Sequence, residues 1–98
     1  MVSTNNKIII PVSTILSNND YPTAGDLLYK QIMRGLDCTS IVLDMNGVSL
    51  LPSMFLNPSL GRIIKENGVG FVKNRIMFIN IKSGDSKRII EYVKRFRS

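Results

Sequence analysis

Histidine and tryptophan are absent from this 98-residue sequence, and cysteine occurs once, at Cys38. Without an imidazole, the usual base for activating a serine or cysteine nucleophile is missing, and so is a common zinc ligand. A lone cysteine forms no internal disulfide. Long apolar runs are missing too. Ile8-Ile9-Ile10 is cut off by Pro11, far short of the roughly 18 residues that a membrane span needs. The first residues also lack a basic segment leading into an apolar stretch. These absences set the expectation of a cytoplasmic protein with no membrane association, no metal and no cofactor.

No Gly-x-x-x-x-Gly-Lys-Ser/Thr pattern occurs, and Asn67-Gly68-Val69-Gly70 follows a helical stretch rather than a strand. It reads as a flexible turn and not as a phosphate cradle. Paired carboxylates could still do acid/base work. Only Asp44 lies on a plausible site rim, whereas the other acids read as caps, turns or solvated helix faces. The expectation is a non-enzymatic protein. Charge is the unusual part of the composition: residues 1–50 hold three Lys or Arg against four Asp, and residues 51–98 hold ten against three acids. The basic excess therefore belongs to the second half.

Ninety-eight residues suit one domain with a single core, taken as 1–98. A first strand is expected at Lys7 to Val12. Ser13 to Tyr21 has turn composition, and Thr23 to Asp26 has the form of a capping box for a helix over 23–34 that stops at Gly35. Ile41-Val42-Leu43 is the short β-branched run expected of a strand buried on both sheet faces. Leu60, Ile63 and Ile64 give a second helix apolar cover until Asn67-Gly68. Pro58 should either kink that helix or split off a first turn at Ser53 to Leu56. Gly68 to Val72 reads as a loop, Arg75 to Ile81 as the third strand, and Ser83-Gly84-Asp85 as the capped start of a last helix running to about Arg97. The alternation of strand and helix implies parallel pairing with right-handed crossovers. The fold class is α/β, a mostly parallel sheet of three to four strands with three main helices.

Everything is arranged around residues 40–61. A strand ends in Leu43-Asp44, Asn46-Gly47 provides a turn, and Ser53 and Asn57-Pro58 are both credible helix starts. In open sheets of this type, sites lie past the carboxyl ends of the strands, here near Asp44, Ser53 and Asn80. Leu43-Asp44, Gly47 and Ser53-Met54-Phe55-Leu56-Asn57-Pro58-Ser59-Leu60-Gly61 resemble the pattern of the STAS-like family of small bacterial domains of unknown function. Members of that family have a strand ending in Leu-Asp, a Gly-containing turn and a Ser-x-Phe-Leu-Asn-x-x-(Leu/Ile)-Gly helix entrance. The resemblance implies a small STAS-like sandwich and a signalling role.

The related STAS domains of anti-sigma-factor antagonists carry Asp-Ser-Ser-Gly at this entrance, with its second serine phosphorylated. Here the segment is Pro52-Ser53-Met54-Phe55. Met54 occupies the usual phosphoserine position, so phosphorylation would fall on Ser53. The resemblance also implies a regulatory partner protein, such as an ATP-binding kinase-like protein, that would itself hold any nucleotide. The expected partner-binding residues are Asp44, Ser53, Met54, Phe55, Leu56 and Asn57. A serine before a helix is most often a cap, which is the plainer reading of Ser53, and Met54 and Phe55 read alternatively as core. A rival reading is a basic nucleic-acid-associated domain using Lys87, Arg88, Lys94, Arg95 and Arg97 on the last helix. Glu91 interrupts that row, and there is neither helix-turn-helix spacing nor an aromatic pair on a strand. A homodimer through an exposed edge strand at Lys7 to Val12 is a further expectation.

Overall fold

The computed structural model describes residues 6–38 and 40–96. The expectations for the first five residues and for Arg97 lie outside these. In chain order the elements are β1 (Lys7–Pro11), α1 (Val12–Asn18), α2 (Tyr21–Arg34), β2 (Ser40–Asp44), α3 (Ser53–Leu56), a π-helical segment (Asn57–Gly61), α4 (Arg62–Asn67), α5 (Val69–Arg75), β3 (Ile76–Ile79) and α6 (Ser83–Lys94). Among the described residues the sheet is three-stranded with the order β1-β2-β3, and both pairings are parallel. Each connection must therefore cross the sheet through helices, which is the α/β architecture expected of a STAS-like fold.

The pairing register separates the two sheet faces. Ile8 and Ile10 of β1, Ile41 and Leu43 of β2, and Ile76 and Phe78 of β3 align with one another. They turn into a single core that also takes side chains from the helices. The intervening row is Ile9, Val42 and Met77, and by strand alternation it points to the opposite side. Ile9 and Met77 are each 54% exposed, so helices cover only one face. β2 was expected to be covered on both. Val42 is nevertheless buried, because its two cross-strand neighbours shield it.

Several boundaries differ from the sequence expectation, each for a local reason. Strand β1 stops at Pro11, and Val12 opens α1 where a turn was expected. Val12 and Ile15 bury one side of that helix. The turn-forming residues serve its end: Asn18 Nδ2 donates to the Thr14 carbonyl at 2.9 Å and Asn19 Nδ2 to the Ile15 carbonyl at 3.0 Å. Those side chains satisfy carbonyls that a helix terminus leaves open. Helix α2 starts two residues earlier than expected, because its cap is Asp20, whose Oδ1 accepts the Thr23 N–H at 2.9 Å. Gly35 does end α2, but with φ −92° and not in the left-handed region. Gly68 to Val72 was expected to be a loop. Gly68 alone turns the chain, at φ +90°, and α5 begins at Val69 with Val72 buried. Strand β3 is shorter than Arg75 to Ile81, since Asn80 adopts φ +55° directly after Ile79. Helix α6 begins at Ser83 without a side-chain cap.

Pro58 sets off a first turn at Ser53–Leu56, as the second alternative has it, although the backbone does not leave the helical region after it. The chain stays helical from Ser53 to Asn67, but Asn57–Gly61 widens to a π turn around the proline. A proline has no N–H to give the preceding turn, and here a single π turn inside the helix takes up the break. Inside it, Ser59 is fully buried and its hydroxyl donates to the Phe55 carbonyl at 2.7 Å. That bond occupies a backbone acceptor at the break. The helix lies close against α2 at Gly25. A Cβ there would sit 2.4 Å from Pro58 Cγ and 2.6 Å from the Phe55 carbonyl oxygen.

Candidate functional site

The site begins with the end of β2. Asp44 Oδ1 accepts the Asn46 N–H at 3.0 Å, and Gly47 takes φ +83° in the same turn. The same oxygen accepts from Asn80 Nδ2 at 2.9 Å. One carboxylate therefore fastens the turn after β2 to the turn after β3. The Asn80 side-chain bond, and then the Asn46 backbone bond, hold the Asp44 carboxyl below the usual carboxylate range. Asp44 acts here as a clamp between loops, and its hydrogen bonds account for its strand-end position.

Beside this clamp, a cleft of about 710 Å³ opens between the α1–α2 corner and the segment that leads from β2 to α3. Ser13, Leu16, Asp20 and Tyr21 line one wall, and Gly47, Leu50 and Met54 line the other. Leu50 is 62% exposed and Met54 60% exposed. Exposed apolar side chains of this size on the rim of a concave surface are the usual mark of a contact site. Ser53 is exposed between them in sequence, at the first position of α3. Pro52 stands at the cap position, so Ser53 makes no side-chain capping bond. The capping role that its sequence context allowed is not the one it has.

The other expected residues divide. Phe55 and Leu56 are each 1% exposed and belong to the core, so they support the helix that carries Met54 and offer nothing to a partner. Asn57 is tied internally: its Oδ1 accepts the Tyr92 hydroxyl of α6 at 2.6 Å. Tyr92 also lies over Gly61, where a Cβ would come within 2.4 Å of the phenol oxygen. Burial pushes the Tyr92 hydroxyl's pKa up, which keeps it protonated and able to donate. Sequence reasoning missed the wall formed by Ser13, Leu16, Asp20 and Tyr21. Only the packing of α1 and α2 beside β2 brings those residues to the strand end.

With this geometry in view, the sequence profile described as "STAS-like domain of unknown function (DUF4325)" matches residues 24–86. The chain belongs to that family. Neither the curated proteins nor the solved structures contain a match to it. Membership in the STAS-like family points to a regulatory or protein-interaction role. The matched span holds β2, the Asp44 clamp, the whole helix from Ser53 to Asn67 and β3.

The STAS-like pattern at the helix entrance now has a physical account. Its Phe and Leu are core, its Asn and Gly form the seat for Tyr92, and its Ser and the following Met reach solvent. Among the described residues, no cluster of three His, Cys, Asp or Glu side chains could hold a metal. No helix among them is long and apolar enough to cross a membrane.

Proposed function

We propose that this STAS-like domain is a non-enzymatic regulatory module that binds a partner protein in the cleft between the α1–α2 corner and Leu50 to Met54. The supporting observation is the pair of exposed apolar side chains, Leu50 and Met54, on the rim of a concave surface at the carboxyl end of the sheet. Such anchors bind by being removed from water, and the polar groups around them fix the orientation of what docks. The partner this reading favours is a regulatory protein of the ATP-binding kinase-like class, which would carry the nucleotide itself.

Ser53 offers a way to regulate the contact. Ser53 is exposed and adjoins Met54 in sequence without itself lining the cleft, and Asp20 lines the facing wall. A phosphate on Ser53 would add up to two negative charges at a rim that already carries a carboxylate. A partner that accepts the apolar rim of the unmodified form would then be released. The test is a pull-down from the native host with wild type, Met54→Asp and Ser53→Asp. The expected outcome is a partner retained by wild type and lost from both variants. An identical set of retained proteins for all three would overturn the cleft, and loss from Met54→Asp alone would overturn only the phosphorylation switch.

A further inference from the structure

A second apolar groove, sharing no lining residue with the cleft, runs beside β3. It measures about 710 Å³ and lies between α5 and α6, with Ile76 and Phe78 of β3, Val72 of α5 and Ile89 and Val93 of α6 among its lining residues. Lys73 and Lys94 also line it, and no acidic side chain does. Neither lysine makes an ion pair among the described residues.

The groove lies along one edge of the sheet. β1 and β3 are the two edges of the sheet, but they are built differently. β1 is Lys-Ile-Ile-Ile-Pro, with a charge at one end and a proline at the other, and both are common devices against strand addition. β3 is Ile-Met-Phe-Ile, with neither. Its outward row also remains open: Met77 on that face is 54% exposed. A strand added at β3 would place alternate side chains in the groove and the others beside Met77.

We propose that the β3 edge takes an extended segment of a partner protein as a fourth strand, one whose groove-facing row is apolar except for acidic residues set against Lys73 and Lys94, which line the same groove. Backbone pairing supplies an attachment that is independent of side-chain identity, the groove selects apolar side chains, and the two lysines select the charge. This contrast in edge construction also argues against self-association through β1.

The test uses a synthetic nine-residue peptide in which one alternating row carries valine at its centre and glutamate at both ends, so that valines and glutamates face the groove together. Its controls are the same peptide with lysine in place of glutamate and a version N-methylated on alternate backbone amides. Amide NMR titration of the full chain should show shifts centred on Ile76 to Ile79 and Ile89 to Val93. Affinity should fall about tenfold for the lysine peptide and for the Lys73→Glu/Lys94→Glu variant. N-methylation in one of the two alternate registers should abolish binding, because it removes the donors of the ladder. Both lysines are exposed, so the variant should keep the wild-type spectrum outside the groove. Absence of shifts at about 1 mM glutamate peptide would overturn the proposal. Indifference to N-methylation, shifts confined to the α1–α3 cleft, or equal binding of the lysine peptide would do so as well.

Discussion

Two glycines set how closely helices approach in this structure, and neither is needed for a turn. Gly25 lets α2 lie against Pro58 and the Phe55 carbonyl, and Gly61 leaves room for the Tyr92 hydroxyl. Gly25→Ala gains helix propensity but overpacks a contact whose neighbour is backbone, so it should lose about 2 kcal/mol net in urea unfolding. Gly61→Ala meets a side-chain oxygen instead. Combining it with Tyr92→Phe should cost less than the sum of the two single changes, because removing the phenol oxygen removes the clash. Strict additivity in that cycle would show that Tyr92 does not sit where its bond to Asn57 places it. Asp44 belongs at this scale as well. Its folded-state pKa lies below its unfolded one, so its stabilising effect is complete above about pH 3.9 and is lost as pH falls through the lowered value. Asp44→Asn should therefore flatten that part of the acid-unfolding curve, measured as the urea midpoint against pH. A curve parallel to that of wild type would remove the clamp. The importance of Asp44 was legible in its place after a β-branched run. Its bond to Asn80 was not, because the two residues meet only when β2 and β3 pair.

Elements were legible in proportion to how much apolar surface they bury. The three strands and the long helices declare themselves through runs such as Ile41-Val42-Leu43 and through helical spacing such as Leu60, Ile63 and Ile64. The short helices α1 and α5 do not, since serine and asparagine in one and glycines in the other carry the usual composition of turns. What makes them helices is tertiary: Val12, Ile15 and Val72 are buried in the common core. Helix α6 attaches through a narrow set of contacts: Ile89, Tyr92 and Val93 on its buried side, and the Arg88 Nε donating to the Leu51 carbonyl. By contrast, α2 packs along α3 and the π-helical segment, and a surface network ties it to α4, in which Asp26 pairs with Arg62 at 3.2 Å and the Arg62 guanidinium lies 3.8 Å from the centre of the Tyr29 ring. Native-state hydrogen exchange should therefore show the amides of α6 opening at lower free energy than those of α2. Equal protection of the two helices would contradict that ordering.

For the molecule as a whole, the uneven charge is explained more by where the groups lie than by their number. Of the basic side chains on and just after α6, Arg88 is engaged with a backbone carbonyl, and Lys87, Lys94 and the C-cap residue Arg95 stand exposed, in a row that Glu91 interrupts. A scattered set of this kind gives a weak, salt-sensitive attraction to phosphates and no groove reader. Gel-shift titration with duplex DNA should show no complex at physiological salt. A complex that persists there would revive the nucleic-acid reading. One structural feature reaches further than its size. The π turn at Asn57–Gly61 holds a residue more than an α turn would, so it sets the phase of everything that follows. If the same sequence wound straight through as an α-helix, α4 would rotate by about 100°. Each side chain would then point where its successor now does: Ile64 would swing to the exposed direction of Lys65, and Arg62 to the buried direction of Ile63. A wide turn beside one proline thus decides which side of the next helix is dry.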